Sequence, residues 1–139
     1  MISQFAQRVV TGRGGVDAGE RIYRALLQLK HSGRIIGDRV NRPKARLPAT
    51  GTDVLVHALD DRAALPAGCY ELTSAFIAAA RSIGIDARGM AAPATDFEGQ
   101  IGHVVATVSA EDGGRPMVFD LQNETMHRSE RYLPLSDLE

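Results

Sequence analysis

The chain has 139 residues, of which 44% are hydrophobic and 5% are aromatic, and its formal net charge is −1. This length predicts one compact domain with a mainly aliphatic core, and the near-neutral charge argues against nucleic acid as the main partner. The single cysteine excludes an internal disulfide and a cysteine-rich zinc site, and no apolar run approaches the roughly 20 residues of a membrane span.

The N-terminal part predicts a lead-in followed by one helix. Glycines at 12, 14 and 15 predict that residues 1–16 are flexible. Residues 17–31 are predicted to be helical, with Asp17 as the cap and Gly33 as the stop. The apolar residues of this helix recur at helical spacing, and they are Ile22, Leu26 and Leu29. The helix is expected to cover one face of a sheet.

Residues 34–51 are interrupted by prolines and contain a basic segment, 34–46. This segment has five cations, which make it a positive patch: Arg34, Arg39, Arg42, Lys44 and Arg46. Such a patch could hold an acidic partner, although a charge run is more often a solvated loop. Residues 52–60 are left open between a strand and a short helix, and residues 60–68 are predicted to be a loop.

The most apolar helix is predicted from Cys69 to Ile83, with Gly84 ending it. A strand at 85–92 and a polar loop at 94–102 come next. Two further strands form a hairpin around a glycine-containing turn at 111–114. They comprise residues 103–110 and 115–120, and a polar tail, 121–139, follows them.

Cys69 opens this apolar helix and is the single cysteine of the chain. The reactive form of cysteine is the thiolate, which a helix N-terminus and a nearby imidazolium favour. Gly68 lets a substrate approach the backbone closely, and first-turn amides can stabilise an oxyanion on an attacked carbonyl. The position therefore favours a nucleophile, although a lone cysteine on an apolar helix face is more often an inert core residue.

A cysteine nucleophile needs a histidine base and a group that orients the histidine. The chain has four histidines, which are His31, His57, His103 and His127. His103 is preferred because it begins a strand after a long loop, where functional side chains are common. In the predicted hairpin Asp120 lies opposite His103 within a register step or two, and opposed Cβ atoms are about 4.5–5.5 Å apart. Asp120 is therefore predicted to orient His103.

Three segments together resemble the transglutaminase-like cysteine enzymes. Residues 68–88 have the Gly-Cys opening, the helix of small and apolar residues and the Gly-Ile-x-Ala-Arg exit of that family's nucleophile segment. Residues 102–104, Gly-His-Val, are similar to its histidine strand, and residues 118–120, Val-Phe-Asp, to its aspartate strand. The resemblance covers a core of about residues 66–123.

The resemblance implies an α+β, papain-like fold in which the nucleophile helix packs on a small antiparallel sheet. By position it makes Cys69 the nucleophile, His103 the general base and acid, and Asp120 the orienting group. Tyr70 stands where the family often has tryptophan, and the proline that often follows the aspartate is missing. No residue marks a calcium site, and no metal or cofactor is expected. The second oxyanion donor is not identified, and the candidates are Tyr70, Gln100 and Gln122.

Residues 17–139 are therefore expected to form one catalytic domain that attacks a carboxamide or peptide carbonyl of a protein or peptide substrate through a thioester. Hydrolysis, as glutamine deamidation or peptide cleavage, is favoured because so short a chain has no visible site for an amine acceptor. The alternatives are a transglutaminase, a non-catalytic binding module of the same fold, and a piece of a larger bacterial toxin or effector. No signal peptide is recognised, which leaves the location open between the cytoplasm and export by another route.

Overall fold

The computed structural model describes residues 1–12, 14–37, 51–93, 101–110 and 114–129. These residues form four helices and six strands, which confirms the predicted α+β class. The helices are α1 (Ile2–Val10), α2 (Gly15–His31), α3 (Gly51–Leu59) and α4 (Cys69–Ser82). The strands are β1 (Ile35–Gly37), β2 (Leu65–Ala67), β3 (Ala87–Pro93), β4 (Ile101–Val108), β5 (Met117–Asp120) and β6 (Thr125–Arg128).

Four strands form an antiparallel sheet in the order β3-β4-β5-β6. The predicted hairpin is its centre, with Ala106 of β4 opposite Phe119 of β5. The register between β3 and β4 shifts after the Ala92↔His103 pair, so that Pro93 lies opposite Ile101. One residue of β4 is therefore extra directly before His103, as in a β-bulge, a feature that bends a strand and re-aims side chains.

Helix α4 lies between this sheet and α3, and it confirms the helix predicted from residue 69. Its side chains Leu72 and Phe76 are buried, and the ring of Phe76 is 5.1 Å from that of Phe119, measured between centroids. On the side of α3, a Cβ on Gly51 would lie 2.4 Å from the Cβ of Ser74. The two helices therefore approach each other at a point where only glycine fits.

The N-terminal residues differ from the predicted flexible lead-in at 1–16. Helix α1 covers most of them and buries Phe5, Ala6 and Val10 in the core. Burial of this apolar face stabilises a short helix that propensity alone would leave marginal. Of the glycines that suggested flexibility, Gly12 and Gly14 lie between α1 and α2, and Gly15 is the first residue of α2.

Helix α2 confirms the helix predicted for residues 17–31, with Gly14 and not Asp17 at its N-cap. It covers the sheet as expected, because the ring of Tyr23 lies 5.4 Å from that of Phe119 between centroids. The sequence left the segment 52–60 open, and its residues 52–59 are helical as part of α3.

Strands β1 and β2 pair in parallel in a region where the sequence predicted only loops. Each has three residues, too few for the alternation by which strands are recognised. Most of the basic segment, residues 38–46, lies outside the described residues. Its first cation, Arg34, donates hydrogen bonds of 2.9–3.3 Å to the main-chain carbonyls of His57, Ala58 and Arg62.

The polar tail returns to the sheet as β6, which pairs with β5 from Met117↔Arg128 to Asp120↔Thr125. The turn between these strands comprises residues 121–124 and is called the β5–β6 turn below. Residues 130–139 lie outside the described part. Among the helices of the described residues, none has both the length and the apolar character that a membrane crossing requires.

Candidate active site

Cys69 lies at the first position of α4 and is 7% exposed. Gly68 precedes it in an extended conformation, and its backbone N–H donates a hydrogen bond of 3.3 Å to Oε2 of Glu71. This contact satisfies one of the amides that a helix start leaves without an intrahelical partner. The contact between Gly68 and Glu71 thus stabilises the first turn of α4, in which Cys69 lies.

Burial raises the pKa of the Cys69 thiol, and the carboxylates of Glu71 and Asp120 raise it further. The backbone amides of Val104 and Tyr70 act against this rise because they donate hydrogen bonds to the sulfur. The net pKa lies above the ordinary value. The sequence predicted that the helix start favours a thiolate, whereas burial favours the neutral thiol.

Strand β4 meets the first turn of α4 at Val104. The carbonyl of Val104 accepts a hydrogen bond of 3.2 Å from Oγ1 of the buried Thr73, and the amide of Val104 lowers the pKa of the Cys69 thiol. The pairing of β4 with β5 ends at Ala106, and at Val104 strand β4 is joined instead to the first turn of α4. Val104 is the residue that directly follows His103.

His103 and Asp120 are in direct contact, since Nε2 of His103 lies 2.7 Å from Oδ2 of Asp120. Both are largely buried, with side chains 23% and 12% exposed. A carboxylate accepts hydrogen bonds, so this contact assigns a proton to Nε2 and leaves Nδ1 as the basic nitrogen of the neutral ring.

The side chains of His103 and Asp120 are in contact as predicted, but the two residues are not directly opposite each other on β4 and β5. If the register of Ala106 with Phe119 continued along β4, His103 would face residue 122, two positions beyond Asp120. This offset is within the range expected from the turn. The imidazole and the carboxylate bridge it diagonally, as long side chains on neighbouring strands can.

Asn123 contacts the same carboxylate, which the sequence did not predict. Its backbone N–H donates to Oδ1 of Asp120 at 3.1 Å, and its Nδ2 donates to Oδ2 at 3.0 Å. Asparagine is an ordinary turn residue, so its position in the sequence carried no signal for this role.

The other histidines have different surroundings. His31 pairs with Glu124, and Nδ1 of His57 lies 3.0 Å from the carbonyl oxygen of Ala63. His127 is exposed on β6.

The three oxyanion candidates have different positions. Tyr70 is half-buried directly after Cys69, and Gln122 is half-buried in the β5–β6 turn. Gln100 lies outside the described residues. Within those residues, no group of three or more His, Cys, Asp or Glu side chains could hold a metal ion.

The family model of the transglutaminase-like superfamily matches residues 4–120. The match starts within α1, far upstream of the core at 66–123 on which the resemblance was based. No curated protein shows a significant match to the chain.

A solved structure with a similar fold is that of a protein from Parabacteroides distasonis that carries the provisional name of protease. It is 13% identical to this chain, with a TM-score of 0.57. The similarity covers 91% of this chain and 27% of that protein. At this level of identity the likeness supports the fold alone, and this chain spans about a quarter of the other protein's length.

Proposed function

The chain belongs to the transglutaminase-like superfamily, and from that membership we propose that it is a cysteine hydrolase that uses Cys69, His103 and Asp120. Cysteine-based catalysis is typical of this superfamily. The observation that carries the proposal is the 2.7 Å contact between Nε2 of His103 and Oδ2 of Asp120. His103 directly precedes Val104, whose backbone amide lowers the pKa of the Cys69 thiol.

The first step uses His103 as a base. The Asp120 carboxylate accepts the Nε2–H and fixes the tautomer that leaves the Nδ1 lone pair available. Nδ1 takes the thiol proton as the sulfur attacks the carbonyl carbon. Burial raises the pKa of the Cys69 thiol, which favours a proton transfer that accompanies the attack.

The negative charge that develops on the carbonyl oxygen needs hydrogen-bond donors. The backbone N–H of Cys69 is one candidate, because it lies at the first position of α4 and has no intrahelical acceptor. Tyr70 and Gln122 are the described side chains that we propose as a second donor. Gly68 is not used in this way, since its N–H already donates to Glu71.

The C–N bond then breaks, and the His103 imidazolium gives its proton to the leaving nitrogen. The acyl group remains on the sulfur as a thioester. Water next loses a proton to Nδ1 and attacks the thioester, and the proton returns to the sulfur as the S–C bond breaks. The sum is an amide and water converted to a carboxylic acid and ammonia or an amine.

The proposed substrates are the side-chain carboxamide of a protein glutamine, or a peptide bond. The provisional protease name of the structural neighbour supports testing peptide cleavage beside deamidation. A transglutaminase would differ in one step, because an amine would replace water in the attack on the thioester.

Mass spectrometry of a glutamine-containing protein, incubated with the enzyme and a primary amine, distinguishes these reactions. Deamidation adds about one dalton, peptide cleavage gives two fragments, and transglutamination adds the amine with loss of ammonia. We expect hydrolysis products with the wild-type protein and none with Cys69→Ala or His103→Ala.

The matched control is His127→Ala, which removes an exposed histidine from the same sheet. It should leave product formation unchanged. Equal turnover by Cys69→Ala and the wild-type protein would contradict the proposed function.

A further inference from the structure

Both oxygens of the Asp120 carboxylate are held from the β5–β6 turn. Asn123 donates its backbone N–H to Oδ1 at 3.1 Å and its side-chain Nδ2 to Oδ2 at 3.0 Å. Oδ2 is also the oxygen that His103 contacts at 2.7 Å. The rotation of an aspartate carboxylate about its last torsion is weakly restricted by the side chain itself. These donors therefore supply a restriction that Asp120 lacks on its own.

The side-chain amide of Asn123 also approaches Nε2 of His103, at 3.4 Å. With the proton of Nε2 directed at Asp120, both nitrogens are donors and neither can accept from the other. Asn123 therefore acts on His103 through the carboxylate. Two donors converging on Oδ2 fix where that oxygen lies, and its position decides how the imidazole is turned.

The turn that carries Asn123 is fixed in its own right by the end of α2. Lys30 Nζ donates to the carbonyl oxygens of Leu121 at 3.5 Å and Gln122 at 3.3 Å. It also pairs with Glu124 at 3.4 Å, and His31 contacts the other oxygen of that carboxylate. Asn123 is thus flanked on both sides by residues tied to α2.

We propose that Asn123 is a positioning residue, which holds the Asp120 carboxylate at the angle where Oδ2 meets Nε2 of His103. The assignment rests on the proposed function, because it gives Asn123 a role only through the Cys69–His103 pair. Asn123 does not contact the substrate carbonyl in this scheme. It sets how strongly Asp120 orients the base.

Alkylation of the single cysteine by iodoacetamide tests this role without a substrate. Second-order rates would be measured from pH 5 to pH 10, at a temperature where each variant is shown by its unfolding curve to be folded. We expect Asn123→Ala to slow alkylation near neutral pH by about tenfold, the scale of one hydrogen bond to a charged group. Its pH profile should move toward that of Asp120→Ala.

A double-mutant cycle separates positioning from a general effect on the fold. In an Asp120→Ala background, Asn123→Ala should have no further effect on the alkylation rate. Asn123→Asp keeps the shape and the backbone N–H but loses the side-chain donor, so it should be at least as slow as Asn123→Ala. The control, His127→Ala, should follow the wild-type profile.

The outcomes distinguish this inference from the proposed function. Wild-type kinetics for Asn123→Ala, with slow alkylation in His103→Ala and Asp120→Ala, would overturn the role of Asn123 alone. An equal slowing by Asn123→Ala in both backgrounds would also overturn it. Wild-type kinetics in His103→Ala and Asp120→Ala would overturn the proposed function and, with it, this role.

Discussion

The two sides of the candidate site are held in different ways. The helix side is the first turn of α4, residues 69–73, which is fixed by apolar packing behind it and by the close approach of α3 at Gly51. The sheet side consists of His103, Asp120 and Asn123, which are joined by hydrogen bonds between polar atoms.

This difference has a physical consequence for each side. Packing is dense and spread over many atoms, so it fixes the position of the first turn of α4. The pKa of Cys69 depends instead on its burial and on the nearby charges. Hydrogen bonds are few and directional, so they fix the orientation of single side chains. We expect changes to the packing of the helix side to alter stability, changes to its charge to alter the reactivity of Cys69, and changes to the hydrogen bonds of the sheet side to alter the orientation of His103.

The largest expected effect is on the packing of the helix side. In Gly51→Ala the added Cβ would clash with the backbone of α4, because it would lie 2.5 Å from the nitrogen of Ala75 and 2.6 Å from the oxygen of Glu71. Overpacking of this kind should lower the free energy of unfolding by about 3 kcal/mol, measured by urea denaturation. Gly37→Ala is the control, because its Cβ would meet only the flexible end of Lys30 at 2.8 Å. Similar losses in the two variants would contradict the account.

The contact between the two sides is tested by Thr73→Val, which keeps the shape of the side chain but removes the donor to the Val104 carbonyl. Leaving that acceptor without its partner should lower the free energy of unfolding by about 1–2 kcal/mol. Thr107→Val is the matched control in β4, since its hydroxyl is buried but its bond to the Arg88 carbonyl is longer, at 3.5 Å. A smaller loss for Thr73→Val than for the control would count against a hydrogen-bonded link here.

The charge balance of the helix side is tested by Glu71→Gln. The Glu71 carboxylate raises the pKa of the Cys69 thiol, so its neutral isostere should lower that pKa and move the alkylation profile to lower pH. The amide oxygen can still accept from the N–H of Gly68, which preserves the helix start. Asp61→Asn, at a fully exposed side chain, should leave the profile in place. A shift to higher pH in Glu71→Gln would oppose this interpretation.

The smallest effect is expected where α2 meets the sheet side. Desolvation raises the pKa of Glu124, but the contacts with His31 and Lys30 lower it more, and the net pKa lies below the usual 4.5. A carboxyl whose folded pKa is lowered adds stability above its unfolded pKa and loses it as the pH falls through the folded pKa. Wild-type stability should therefore fall more on acidification below pH 4.5 than that of Glu124→Gln, by at most about 1 kcal/mol for such a partly exposed pair.

Glu20→Gln is the control for that titration, since Glu20 pairs with Arg24 at 3.2 Å on the exposed face of α2. It should leave the acid dependence close to that of the wild-type protein. If the wild-type protein and Glu124→Gln lost stability in parallel, Glu124 would have no part in fixing the turn.

The sequence predicted the helix side better than the sheet side. The apolar spacing of α4 is a local signal, and so is the glycine that follows it, which explains why the helix beginning at Cys69 could be located. The turn between β4 and β5 also limited where Asp120 could lie relative to His103. Both inferences depend on residues that are near each other in the chain.

What the sequence could not predict depends on contacts between distant residues. Lys30 reaches the turn after β5 across about ninety residues, and no spacing rule connects them. Asn123 is a residue type common in turns, so it gave no sign of its role. Helix α1 was not predicted because its neighbouring glycines suggested flexibility. The raised pKa of Cys69 also depends on burial, which becomes known only when the other elements have packed.

The central claim, that His103 serves as the base for Cys69, is tested most directly by the rate of iodoacetamide alkylation near neutral pH. The wild-type protein and His127→Ala should react fast. His103→Ala should react slowly and only regain reactivity at alkaline pH, because burial raises the pKa of a Cys69 thiol that has lost its base. Slow alkylation of the wild-type protein, unchanged by His103→Ala, would contradict the claim and favour a binding module of the same fold.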